Sequence, residues 1–256
     1  MNTLRPLPLV VFLAALALGR AAFAAQAAPA TQNIAPVPAL DDITGFEPIF
    51  DGKTLAGWDG DPVYWRVENG CIVGEITAAT IIKQNTFLIW RAGVTKDFEL
   101  KVEYRISAQG NSGINYRSTE VADQKWVMRG YQADIDGPEK NKPPLRHTGQ
   151  NYEERGRTFL GLRGQITRLE EGKKPAIIGS LGGIEDTKAF INNDGWNELH
   201  IIARGNILMH ILNGHLVSVV IDDDAKNRRM DGELGVQVHV GPPMKIEYRN
   251  FLLKKL

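Results

Sequence analysis

The run Asp97-Phe98-Glu99-Leu100-Lys101-Val102-Glu103-Tyr104-Arg105-Ile106-Ser107 limits what this chain can fold into. Phe98, Leu100, Val102, Tyr104 and Ile106 fall on one side of an extended chain. Glu99, Lys101, Glu103 and Arg105 fall on the other. A period of two is the signature of a strand with one buried face, and a helix of 3.6 residues per turn would scatter the same residues around its axis. Trp65–Glu68 and Cys71–Gly74 flank Asn69-Gly70, and Ile207–Leu212 and Leu216–Ile221 flank Asn213-Gly214. Asn-Gly between two apolar runs predicts a tight hairpin, because both turn residues must take positive φ. Further short strands are expected at 113–117, 131–136, 197–203, 233–240 and 245–254. No stretch sustains a helical period. Many short strands with closely spaced turns predict an all-β, two-sheet antiparallel jelly-roll sandwich rather than a parallel α/β sheet.

The chain has 256 residues, and all-β folds of roughly 200 residues commonly form one domain. Residues 1–25 read as a signal peptide: Arg5, an apolar run from Leu7 to Leu18, then Ala22-Phe23-Ala24 as a small-x-small cleavage site. The run is too short to span a membrane as a helix. With no cysteine near the cleavage site, no lipid or membrane anchor is expected, and the mature protein is expected to be periplasmic or secreted. Residues 26–44 are rich in Ala and Pro and read as a linker, leaving 45–256 as the folded domain. Lys+Arg and Asp+Glu are both 30, so the chain lacks the basic excess that would draw nucleic acid or an anionic membrane. The lone Cys71 sits in an apolar alternation and reads as a small buried hydrophobe.

Alternation also sorts the polar residues. Gln132, Asp134 and Asp136 share a face opposite Tyr131, Ala133 and Ile135; Gln237 and His239 share one opposite Val236 and Val238; Asn115 and Arg117 pair on a third strand. A plain solvated face favours Lys, Glu and Thr. Amides, Asp, Arg and His are the inventory for holding several hydroxyls, so this face suits a sugar. Residues 137–195 are long, polar and rich in Gly and charge, and are expected to supply a loop over the groove. His147, His200, His210 and His215 lack the spacing of a metal pair.

Several motifs occur in one order: Phe50-Asp51-Gly52-Lys53-Thr54-Leu55-Ala56-Gly57-Trp58, Trp65-Arg66-Val67-Glu68-Asn69-Gly70, Asp97-Phe98-Glu99-Leu100 with Tyr104-Arg105, Gly110-Asn111-Ser112-Gly113-Ile114 with Arg117, Gly130-Tyr131-Gln132, and Gly195-Trp196-Asn197 followed by Ala203-Arg204-Gly205 and Leu212-Asn213-Gly214. Together, over about residues 46–256, they resemble the 3-keto-disaccharide hydrolase family. Asn151–Arg157 and His239–Met244 are similar to stretches of one branch of it. The resemblance implies a concanavalin- or laminarinase-like jelly roll and cleavage of 3-keto-glycosides. A ketone at C3 acidifies the C2 proton; its removal gives an enolate that expels the C1 aglycon by β-elimination, with or without net hydrolysis. A divalent cation that polarises the ketone would be an alternative to protein donors.

On this reading Asp134, His239 and Glu154 are the candidate catalytic groups, with Asn111, Arg117, Gln132, Tyr152, Arg157 and Gln237 binding substrate. Gln132 stands where many members have Glu. Arg157 is expected to cap the groove, so that its loss would harm turnover and spare stability. Two other functions compete: a non-catalytic carbohydrate-binding module, and a laminarinase-type glycosidase suggested by Asp134-Ile135-Asp136-Gly137-Pro138-Glu139. In the second, Gly137-Pro138 should break the strand before Glu139 reaches the groove.

Overall fold

The computed structural model describes residues 42–139 and 147–256. The expected leader over 1–25 and all but the last three residues of the expected linker lie outside the described residues. In chain order the strands are β1 (Glu47–Pro48), β2 (Trp58–Asp59), β3 (Trp65–Glu68), β4 (Cys71–Ile76), β5 (Thr86–Thr95), β6 (Phe98–Ile106), β7 (Asn111–Glu120), β8 (Met128–Asp136), β9 (Asn151–Glu154), β10 (Thr158–Gly161), β11 (Gln165–Leu169), β12 (Ala176–Ser180), β13 (Asn197–Arg204), β14 (Ile207–Leu212), β15 (His215–Asp222), β16 (Gly232–Val238) and β17 (Met244–Lys255). A single short helix among the described residues, α1 (Ile184–Lys188), separates β12 from β13. Among the described residues no helix is long and apolar enough to cross a membrane.

The strands form two sheets. One has ten strands in the order β12-β11-β15-β14-β13-β6-β17-β4-β3, with β1 added alongside β17; the other has seven, in the order β10-β9-β8-β7-β16-β5-β2. All pairs are antiparallel except β11 with β15. This is the jelly-roll sandwich that the alternation demands. Phe98, Leu100, Val102 and Tyr104 of β6 are buried between the sheets, opposed by Tyr116, Tyr131 and Ala133 from the other layer. Both Asn-Gly turns take the expected conformation, with φ of 51° and 79° at Asn69-Gly70 and 49° and 81° at Asn213-Gly214. The Phe50–Trp58 motif proves to be structural. Asp51 Oδ1 accepts the backbone N–H groups of Lys53 and Thr54, closing a turn that swings Trp58 into the core against Phe251, with ring centroids 4.9 Å apart. Cys71 is buried, as its alternation suggests.

Residues 147–195 correct the expectation of a long loop. They hold β9 to β12 and α1, and the β9–β10 hairpin lengthens the seven-stranded sheet beside β8. The signal was hidden because β9, β10 and β11 have only four or five residues each, too few for periodicity to stand out.

Candidate active site

The outward face of the seven-stranded sheet carries a pocket of about 230 Å³ lined by Asn85, Asn111, Gln132, Asp134, His147, Gln150, Tyr152, Glu154, Phe159 and His239. Strand register brings these groups together. Gln132 of β8 lies opposite Tyr152 of β9 and Asn115 of β7, Asp134 lies opposite Gly113, and Asp136 lies opposite Asn111. Side chains two apart on neighbouring strands therefore share the face.

Asp134 is the most perturbed group on the pocket floor. Burial of its carboxylate raises the pKa to about 7. The neighbouring Asp136 adds to the rise, while the amides of Gln150 and Gln132 and the charge of His147 hold it back. Gln132 Nε2 donates to one Asp134 oxygen at 2.5 Å and Gln150 Nε2 donates to the other. Gln132 Oε1 in turn accepts from Gln237 Nε2 at 3.2 Å, and the same nitrogen lies 3.3 Å from Glu154 Oε2. Asn85 Nδ2 reaches the other Glu154 oxygen at 3.3 Å. Burial also raises the Glu154 pKa. Buried amides thus fix two carboxyl groups whose protonation changes nearer neutrality than is usual for such side chains. The Oε1 atoms of Gln150 and Gln237 are buried without a partner among the described residues. Gln150 lines the pocket, and an unpartnered acceptor there calls for a donor from a bound molecule, such as a sugar hydroxyl.

Beside these polar groups stand two aromatic rings. Phe159 is 49% exposed, packs edge-to-face on Tyr152 at 5.3 Å and stacks with His147 at 6.0 Å. Ring faces beside a cluster of amides and carboxyls give a site both apolar and polar contact with a pyranose.

The chain matches the 3-keto-alpha-glucoside-1,2-lyase-like domain over residues 45–254, almost the whole of the described fold. It belongs to that family. A 90-residue stretch is 39% identical to a 3-keto-disaccharide hydrolase from Bacteroides thetaiotaomicron, covering 32% of this chain and 31% of that protein. Two crystal structures from Parabacteroides distasonis, provisionally assigned as glycosyl hydrolases, share the fold. Their TM-scores are 0.54 and 0.53, at 19% and 22% identity, covering 82% and 83% of this chain and 99% and 94% of theirs. A galectin-like protein from Bacillus subtilis aligns with a TM-score of 0.51 at 12% identity over 78% of this chain and 90% of its own.

In this family member Asp134, Glu154, His239, Asn111, Gln132 and Tyr152 meet in the pocket. Gln237 stands directly behind it, bonded to Gln132 and Glu154. His239 lies just beyond the end of β16, and its Nδ1 donates to the Val240 carbonyl at 2.7 Å.

Two expected substrate ligands are elsewhere. Arg117 has a φ of 44°, at an irregularity between Tyr116 and Thr119 that breaks the alternation with Asn115. Its side chain turns inward and is fully buried, donating to the carbonyls of Lys96 and Gly205, each at 2.7 Å, and to Asp97. Arg157 follows Glu153, not Glu154. Glu153 points to the opposite side of β9, where Arg157 binds it at 2.6 Å together with Asp222 at 2.7 Å and Asp224 at 3.3 Å. Both arginines fasten loops. The laminarinase pattern also fails, because β8 ends at Asp136 and Glu139 is exposed past Gly137-Pro138.

Asn85, His147, Gln150 and Phe159 complete the pocket and had no pattern in the sequence to mark them. As for a divalent cation, no group of three or more His, Cys, Asp or Glu side chains converges to hold one among the described residues. The Asp134 oxygens meet amide donors instead.

Gly113 makes the Gln132–Asp134 contact possible. A Cβ there would lie 2.6 Å from Cγ, Cδ and Nε2 of Gln132. Gly113→Ala is expected to displace that amide and lower turnover by about 10-fold to 10²-fold, the scale of a misplaced site group, while thermal unfolding shows the fold intact. Unchanged kinetics would mean that Gln132 does not position Asp134.

Proposed function

We propose that this protein cleaves 3-keto-glycosides, with Asp134 as the base that removes the C2 proton. The observation that carries this reading is a carboxylate whose pKa is raised to about 7, held between two amides on the floor of a sugar-sized polar pocket. Family membership and the name of the Bacteroides relative support the substrate class. A proton next to a ketone needs a base that is free at neutral pH yet stronger than an ordinary carboxylate. His239 and Asn85 carry side-chain N–H groups into the pocket beside Glu154 and can donate to the C3 oxygen as the enolate forms, with Gln237 behind them. Tyr152, Phe159, Asn111 and Gln150 hold the ring. The leader-like residues 1–25 support export, so the substrate would be met in the periplasm or outside the cell.

Incubation with 3-keto-glucosides and with their unoxidised parents tests the reading. Aglycon release is expected from the keto sugar alone; release from both, or binding without release, would defeat it. The pH profile follows from Asp134. Its folded pKa is raised, so the carboxyl is protonated below about pH 7 and free above it. kcat/KM is expected to rise through about pH 7 rather than near pH 4. A plateau extending down to pH 5 would remove Asp134 from the role.

A further inference from the structure

Resting on the 3-keto-glycoside reading, we propose that His147 gives the proton to the departing glycosidic oxygen, and that Asp136 is the residue that positions it. His147 Nδ1 lies 2.6 Å from Asp136 Oδ2, and Asn111 Nδ2 donates to Asp136 Oδ1 at 2.9 Å. The Asp136 side chain is fully buried, so this is a fixed internal pair rather than a solvated one. Phe159 stacks beside the imidazole, with ring centroids 6.0 Å apart. With Nδ1 engaged, Nε2 is the ring nitrogen left for the pocket, and no other described residue bonds to it.

The position fits the chemistry of the sugar. Elimination acts along three neighbouring carbons, with the C2 proton between the C3 carbonyl and the C1 glycosidic oxygen. Same-face residues of a strand recur about every 6.6 Å. On β8, Asp134 is flanked by Gln132, which leads through Gln237 to Glu154, and by Asp136, which holds His147. With Asp134 over C2, Glu154 lies towards the C3 oxygen and His147 towards C1. Asp134 takes the C2 proton, the C–H electron pair forms the C2=C3 bond of the enolate, and the C3 oxygen takes the charge. The enolate collapses to restore C3=O, the C1=C2 bond forms, and the C1–O bond breaks with its pair on the aglycon oxygen. The Nε2 proton of the imidazolium moves to that oxygen and leaves neutral imidazole. The products are a 2-hydroxyglycal ketone and an alcohol, and addition of water across C1=C2 completes hydrolysis.

The charges facing His147 suit an acid. The hydrogen bond that Nδ1 donates to Asp136 raises its pKa, burial and Arg163 oppose the rise, and Asp134 adds to it. Asp136 thus keeps the imidazole in its charged, proton-donating form to higher pH than a free imidazole would hold it.

The test compares aglycons. A nitrophenolate leaves without a proton; an alkoxide does not. His147→Gln is expected to lower kcat/KM on methyl 3-keto-glucoside by at least about 10²-fold, and on the 4-nitrophenyl analogue by less than about 10-fold. Turnover of the nitrophenyl substrate also shows that the variant is folded. Should that variant not fold, His147→Asn carries the same comparison. Asp136→Asn is expected to move the alkaline limb of the methyl-glucoside profile to lower pH. Equal losses on both aglycons, no loss on the methyl glycoside, or an unmoved limb would overturn the inference while leaving the substrate reading intact. A wild-type protein that cleaves neither substrate would overturn both.

Discussion

Asp134→Asn is expected to lower kcat on a 3-keto-glucoside by at least about 10²-fold, the usual scale for losing a positioned base, with the melting temperature unchanged or higher. The two halves of this expectation share one cause. The folded pKa of Asp134 lies above its ordinary value because burial disfavours the charge. A raised acid stabilises the folded state most below its unfolded pKa, and that contribution is lost as pH rises through about 7. At neutral pH and above, the ionised carboxylate is therefore a strain on the fold that an asparagine does not impose. The new amide needs an acceptor, and Gln150 can turn its unpartnered Oε1 towards it. A lost activity accompanied by a large drop in melting temperature would make Asp134 a structural residue.

Arg157→Ala is expected to destabilise the protein by about 3 kcal/mol, the scale for stripping one partner from a buried ion pair, and to leave turnover by the remaining folded protein close to normal. Arg157 is the cation shared by Glu153, Asp222 and Asp224, whose side chains are only 6%, 1% and 5% exposed. Asp222 also accepts from the Tyr131 hydroxyl, which ties this knot to the core of the sandwich. Removing the guanidinium strips Asp222 and Asp224 of their counter-charge and leaves Glu153 only Arg229, 3.9 Å away. Lysine is expected to recover only part of the loss, because one ammonium cannot reproduce the forked contacts. Near-normal stability with impaired turnover would return Arg157 to the sugar groove.

The contrast between these two residues shows how far the sequence could be read. Strict alternation at 97–107 and the two Asn-Gly turns report local backbone preferences, and the structure obeys them in β6 and in the β3–β4 and β14–β15 hairpins. The same alternation put Gln132, Asp134 and Gln237 on one face, where they form a hydrogen-bonded chain. It failed at Arg117, where an irregular pairing and a positive φ reverse the side chain. It also failed at Arg157, where the turn after Glu154 selects the wrong side of the hairpin for a sugar contact. Metal-ligand spacing says nothing of His147, whose partner is a carboxylate eleven residues earlier at the end of β8, a distance no periodicity encodes.

The most direct measurement follows a deuterium placed at C2 of a 3-keto-glucoside, with a parallel sample lacking enzyme to correct for spontaneous exchange. If the Asp134 pocket removes that proton, aglycon release and loss of the label from the sugar product proceed together, and Asp134→Asn slows both by the same factor. Aglycon released with the C2 deuterium still on the sugar, or no release from any 3-keto-glucoside, would contradict the account.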